Sequence, residues 1–216
     1  MNIVAIASLI WSFGFAFLTY TQLPERVALH FGIDGNPDRY GTKLEAGLNL
    51  AILPIVLLIV QLVLWSITKN ETRAAQKRMF DIARVSLSLF VPLTQFVIVQ
   101  AMQQGKFEDM RLMLLGIGGL FIALGNQMPK IAPNAYAGVR IPWTFASDRA
   151  WYATNRLGGW IFAGLGAVLV LGSLVLPSQW SIWAIFAMVG LLLSSLPYLW
   201  FYAKGVYQTD PDRRAL

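Results

Sequence analysis

Cysteine is absent from this sequence, which excludes disulfides and thiolate-held metal sites. Histidine occurs once, as His30, so no histidine-based metal cluster or catalytic triad is expected around it. Charge is also scarce: Asp, Glu, Lys and Arg make up 13% of the residues, against about 25% in a soluble domain. The deficit is concentrated. No charged side chain occurs from Met1 to Pro24, Ala46 to Thr68, Val85 to Gly105, Leu112 to Pro129 or Leu157 to Ala203.

What fills those runs is apolar. Hydrophobic residues make up 56% of the 216-residue chain, and the mean hydropathy is +0.57. A membrane-crossing helix needs about 20 mainly apolar residues. The last run is long enough for two such helices, divided at "LPSQWS", where Pro177 and Ser178 supply turn chemistry. The pattern predicts an all-α, polytopic membrane protein with six spans, at roughly 3–21, 46–67, 85–104, 111–127, 158–176 and 181–203. The first run lacks a basic leader and is followed by "TYTQLPE" rather than a small-residue cleavage site, so it reads as a retained helix.

Lysine and arginine set the orientation. Lys69, Arg73, Lys77, Arg78, Arg84, Lys130, Arg140, Arg149, Arg156, Lys204, Arg213 and Arg214 fall on one side, and Arg26, Arg39, Lys43, Lys106 and Arg111 on the other. Twelve against five predicts both termini in the cytoplasm. The net charge of +6 is then a topology signal, and no direct nucleic-acid partner is needed to explain it. The implied partner is the lipid bilayer. No ionisable residue is expected deep in the spans, where such groups mark ion pathways. Gln61, Gln95 and Gln100 are expected to hydrogen-bond between helices, and "GIGG" at 116–119 with Gly164 and Gly166 to permit close helix contact. A line of Gln95, Gln100 and Gln103 coating a hydrated path is the alternative.

Two polar loops stand out. The first, "QLPERVALHFGIDGNPDRYGTK" (22–43), falls outside; the fourth, "NQMPKIAPNAYAGVRIPWTFASDRAWYATNR" (126–156), inside. Each opens on Gln-x-Pro-charge, "QLPE" and "QMPK", and each later carries an Asp-Arg pair before an aromatic residue. The pairing predicts a 3+3 inverted repeat, with halves at 1–105 and 106–216. In the first loop Val27, Leu29 and Phe31 alternate with Ala28 and His30, a short extended pattern, followed by the turn "DGNPDRYG". Asp34, Asn36, Asp38 and Glu45 take positions 1, 3, 5 and 12 of a calcium loop, but Arg39 stands where that loop requires glycine. An Asx-rich turn is the better reading, and no metal or other cofactor is expected. His30, Asp34, Asn36, Asp38 and Arg39 are the candidate contact residues here.

The second loop, "KNETRAAQKRMFDIAR" (69–84), suits a short amphipathic helix. It reads as an anchor on anionic lipid or as a docking face for a cytosolic protein. In the fourth loop Pro129 and Pro133 end the span, Gly138 permits a tight bend, and Pro142 keeps Ile141 extended. Ser147 is the expected N-cap of a helix with Asp148 in its first turn. Arg149, Tyr152 and Arg156 would share one face of that helix, and Trp151 and Asn155 another. An interfacial belt of Trp, Tyr and Arg explains part of this; a structured 30-residue loop more often carries function.

"GNQMPKIAPNAYAGVRIPWTFASDRAWYATNRLGG", followed by two spans, resembles the SdpI family of bacterial membrane proteins. "LPERVALHFGIDGNPDRYGTK" resembles the amino-terminal module commonly joined to it. Together they cover nearly the whole chain. The resemblance implies a non-enzymatic immunity protein of the bacterial cell membrane. Such a protein gives resistance to a secreted antimicrobial peptide toxin and can signal its presence by retaining a cytosolic transcriptional repressor at the membrane. The motif positions in this sequence are Asn126, Pro129, Lys130, Pro133, Asn134, Gly138, Arg140, Pro142, Trp143, Thr144, Trp151, Arg156 and Gly158. Of these, Asn126, Pro129, Lys130, Asn134, Arg140, Pro142, Trp143, Thr144, Trp151 and Arg156 are the candidate toxin- or partner-binding residues. Ala132 departs from a basic residue of the pattern, and Asn155 from a common histidine. The alternative function is a small transporter or flippase, suggested by the inverted repeat. The absence of intramembrane charge speaks against ion coupling.

Overall fold

Inside a bilayer every backbone N–H and C=O must find a partner within the chain, and a helix achieves this locally. In the computed structural model, which describes residues 3–69, 71, 73–107 and 109–215, the apolar runs form six helices long and apolar enough to cross a membrane. The chain is a multi-pass membrane protein. Its elements are α1 (Ile3–Gln22), β1 (Arg26–Phe31), β2 (Pro37–Thr42), α2 (Lys43–Thr68), α3 (Ala74–Gln104), α4 (Arg111–Gly125), α5 (Pro142–Ala146), α6 (Asp148–Val175) and α7 (Ser181–Gln208). Short 3-10 turns at Met128–Lys130 and Ser178–Trp180 follow α4 and α6. Six crossings leave the start of α1 and the end of α7 at one end of the bundle, the terminal end; β1 and β2 cap the other, the hairpin end.

Helices α1, α2 and α3 pack on one another, and α4, α6 and α7 likewise, with α3 against α4. The α4–α6 seam depends on glycine. A Cβ on Gly118 would fall 2.6 Å from the Gly166 carbonyl oxygen, and one on Gly125 2.7 Å from that of Gly159. Two glycines seven residues apart on each helix thus bring the backbones together. Gly119 and Gly164 face open space and take no part in this contact. Pro54, Pro92 and Pro197 lie inside α2, α3 and α7, and each helix continues through its proline.

Three expectations change. The first loop contains a second strand, so Pro37 and Arg39 to Gly41 of the "turn" are paired in an antiparallel hairpin. The register shifts between Ala28 and Phe31, a bulge that twists the hairpin over the helix ends. The amphipathic helix of the second loop and the third span are one 31-residue helix, whereas α6 starts at the expected Ser147 cap and runs unbroken into the fifth span. Arg84 is drawn into the bundle. It follows the first residue of α3 by ten positions, about 15 Å along the axis, and is 5% exposed. Its Nε donates to Gln61 Oε1 at 3.2 Å, and Gln61 Nε2 donates to the Arg84 carbonyl and to Ser88 Oγ at 3.1 and 3.0 Å. Ser8 Oγ ties in α1 by donating to the Ser88 carbonyl at 2.6 Å. A charge-free run therefore marks a span's apolar stretch and not its full depth. Gln95 behaves as expected, donating to the Ser12 carbonyl at 3.0 Å.

Candidate functional site

The fourth loop is shaped from within by its own polar residues. Asn134 Oδ1 accepts from the backbone N–H groups of Tyr136 and Ala137 at 2.8 and 2.9 Å, and its Nδ2 donates to the Ala132 carbonyl at 2.9 Å. Gly138 then turns the chain at φ +109°, a left-handed value that favours glycine. The turn presents Val139 N–H to Asn155 Oδ1 at 2.7 Å, and Asn155 Nδ2 donates to the Trp151 carbonyl at 3.0 Å. Pro142 opens α5 from an extended Ile141. Thr144 is fully buried and its Oγ1 donates toward the carbonyls of Val139 and Ile141, both at 2.9 Å. Ser147 caps α6, accepting from Ala150 N–H at 2.9 Å, as the sequence predicts.

Trp151 anchors the assembly. It is fully buried beside Met79, Phe80 and Ile131, and its Nε1 donates to the Ile131 carbonyl at 2.9 Å. Trp143 packs edge-on to Trp200 at 5.9 Å and against Tyr207 at 5.3 Å, with Lys204 Nζ 5.7 Å above its ring. Among the candidate residues, Asn134, Pro142, Trp143, Thr144 and Trp151 thus build the loop. Asn126, Lys130 and Arg140 face outward; Lys130 Nζ donates to Asn126 Oδ1 at 3.4 Å, and the Arg140 guanidinium lies 5.8 Å over the Phe145 ring. Pro129 and Arg156 line a groove between α6 and α7, apart from that face.

Two neighbours of this loop leave no mark in the sequence. The start of α3 packs on it, with Arg73 Nη1 donating to the Pro133 carbonyl at 3.3 Å and Phe80 edge-on to Tyr136 at 6.5 Å. The tail after α7 folds back across it. Ser147 Oγ donates to Asp210 Oδ2 at 2.5 Å, Arg214 N–H to the Ala146 carbonyl at 2.8 Å, and the Arg214 guanidinium to the Phe145 carbonyl at 2.7 Å. Arg214 also pairs with Asp148 at 3.5 Å. The Ser147 hydroxyl, followed by the Asp212 N–H and the Arg149 and Arg213 charges, holds the Asp210 carboxyl below its usual range. The second loop, the fourth loop and the tail form one face at the terminal end.

At the hairpin end, His30 Nδ1 lies 2.6 Å from Asp38 Oδ1, and Arg39 Nη2 donates to Glu45 Oε1 at 3.1 Å. Thr42 and Glu45 form a capping box that fixes the start of α2. Asp34 accepts from Asn36 Nδ2 at 2.7 Å and from Asn36 N–H at 3.1 Å; the Asn36 hydrogen bonds are the main reason its carboxyl is held below the usual range. These groups are spent on one another, and among the described residues no cluster of His, Asp and Glu could hold a metal ion.

The hairpin also closes one side of a cavity of about 850 Å³. Leu29 to Gly35 form that wall, Ile98, Met102, Lys106, Phe107, Met110 and Met113 of α3, α4 and their link form a second, and Ser178, Gln179, Ile182 and Phe186 a third. The hairpin tip is pinned to the link: Phe107 N–H donates to the Gly35 carbonyl at 2.8 Å, and Phe31 meets Phe107 edge-on at 5.1 Å. Gly35, at φ +78°, leaves no room for a Cβ, which would fall 2.7 Å from the Phe107 carbonyl oxygen. The lining is mainly apolar, with three flexible methionines and few polar groups, the composition of a ligand pocket. Of the candidate hairpin residues His30 and Asp34 line this cavity and Asn36, Asp38 and Arg39 do not; its other walls come from residues 98–113 and 178–186, which carry no motif.

Comparison with known proteins bears on both ends of the molecule. Residues 130–199 match the family model described as the SdpI/YfhL protein family, and residues 7–58 match a domain of unknown function, DUF1648. The immunity protein SdpI of Bacillus subtilis (strain 168) is 24% identical over 204 residues, covering 94% of this chain and 96% of that protein. An uncharacterized protein of Archaeoglobus fulgidus is 46% identical over 69 residues, 32% of this chain and 34% of its own length. No solved structure matches the chain.

Proposed function

The chain belongs to the SdpI/YfhL protein family, and we propose that it is an immunity protein of the cell membrane, giving resistance to a secreted antimicrobial peptide toxin. The observation that carries this reading is the cavity at the hairpin end. Its walls come from both matched segments, the hairpin within residues 7–58 and the α6–α7 turn within residues 130–199. An apolar, methionine-rich cavity suits an apolar stretch of a peptide, because methionine repacks around varied shapes.

The orientation in this reading puts both termini in the cytoplasm, on the lysine and arginine count, and the cavity outside, where a secreted peptide arrives. Residues 1–105 and 106–216 act as two halves related as an inverted repeat, with the cavity where their outer ends meet. The terminal-end face then serves as the reporting surface. Lys77, Arg78, Lys130 and Arg140 are exposed at that end, as is Tyr136, 60% exposed, and a cytosolic transcriptional repressor would dock on these basic and aromatic side chains. Trp143 supports the fourth loop.

Expression in Bacillus subtilis cells deprived of their own SdpI tests the reading. Cells making the protein should survive the toxin secreted by the parent strain. Unchanged killing, with the protein present in the membrane, contradicts it.

A further inference from the structure

Arg149, Tyr152 and Arg156 share one face of α6, at positions i, i+3 and i+7. They line a groove of about 410 Å³ whose other walls are Tyr202 and Val206 of α7, with Pro129 at its edge. Among the described residues lining it, the two arginines are the only charged ones. Among the described residues neither has a carboxylate within ion-pairing distance. Arg149 donates from Nη1 to the Thr209 carbonyl at 3.3 Å and its charge also acts on Asp210, but it makes no ion pair with that carboxylate.

The depth of the groove is fixed by Trp160. Arg156 lies 5.9 Å over the Trp160 ring, and that ring, one turn further into the span, is 66% exposed. Tyr198, one turn before Tyr202 on α7, is 59% exposed. Tryptophan and tyrosine gather at the boundary between headgroups and acyl chains, so the arginines sit level with lipid phosphates. A guanidinium matches the planar, paired oxygens of a phosphate, and basic clefts between membrane helices take phospholipid headgroups.

We propose that this groove is a binding site for the phosphodiester of a phospholipid headgroup in the leaflet at the terminal end, with Arg149 and Arg156 on the phosphate oxygens. Tyr152 and Tyr202 flank the headgroup, and the acyl chains run beside Trp160 and Tyr198. The site does not depend on the immunity reading: it would be occupied in a resting membrane. It also removes Arg156 from the surface open to a cytosolic partner.

The test is native mass spectrometry of the detergent-purified protein titrated with phosphatidylglycerol. The wild type should retain one lipid, and Arg149→Gln/Arg156→Gln should bind it roughly tenfold more weakly or worse. Ala153→Trp keeps both arginines and fills the groove, so it should lose the lipid too and covers the case in which the double variant does not fold. Arg26→Gln, an exposed arginine at the hairpin end, should change nothing. Undiminished binding in the double variant or in Ala153→Trp overturns the proposal, as does an equal loss in Arg26→Gln. Displacement of the lipid by millimolar inorganic phosphate would reassign the groove to the free anion and overturn the lipid assignment.

Discussion

At the scale of single residues, the fourth loop is held by a few side chains whose polar atoms bond to its own backbone. Gly138 and Asn155 illustrate this. A Cβ on Gly138 would fall 2.4 Å from Asn155 Oδ1, the atom that accepts the Val139 N–H. Gly138→Ala therefore combines an unfavourable positive φ with displacement of a buried acceptor. It is expected to cost about 1–3 kcal/mol, seen as a lower unfolding midpoint in detergent; a midpoint unchanged from wild type would show that the bend is not strained. Gly138 and Ser147 could be read from the sequence because bends and N-caps have local residue signatures. The partner of Trp151 could not. Its indole donates to Ile131, 20 positions back, and nothing near either residue announces the pairing. The same limit hides the split among the candidate residues, since a motif does not say which members face inward.

At the scale of elements, the helices and the Ser147 cap of α6 were legible, while the extent of α3 and the depth of the spans were not. Composition locates an apolar run, but a helix continues into polar sequence as long as its backbone is satisfied, as α3 and α6 do. Arg84 is the consequence: its burial rests on Gln61 of a neighbouring helix and on Asp81 of its own, 3.6 Å from Nη1, and only packing reveals the first. Gln61→Leu leaves a buried guanidinium without that partner and is expected to destabilise by about 1–3 kcal/mol. Arg84→Met added to it should restore stability, because an apolar pair of similar size carries no desolvation cost. A double variant less stable than Gln61→Leu alone would show that Arg84 has an independent role.

The tail gives a second test at this scale. Asp210 has its folded pKa below the unfolded value. Its contribution is fully present above the ordinary carboxylate pKa of about 4 and is lost as pH falls through the depressed folded value. A spin label on Ala215→Cys, unique in a cysteine-free chain, should be immobilised at neutral pH and released only under that acid condition. In Ser147→Ala, which removes the main cause of the shift, release should occur at a higher pH. A label equally mobile at all pH values would mean the tail is not held through Asp210.

At the scale of the whole molecule, the two halves meet at the hairpin end around the cavity, while the loops that carry the family motif gather at the terminal end. The helices of the two bundles join these regions, and in the proposed reading the toxin meets one end and the repressor the other. The most direct measurement of this account compares survival of toxin-sensitive Bacillus subtilis cells expressing the wild type or Met113→Trp, which fills the cavity with a larger side chain while leaving the motif loop untouched. With equal amounts of both proteins in the membrane, the account predicts survival with the wild type and killing with Met113→Trp. Equal protection by the two would contradict the cavity as the toxin's seat, and killing with both would contradict immunity itself.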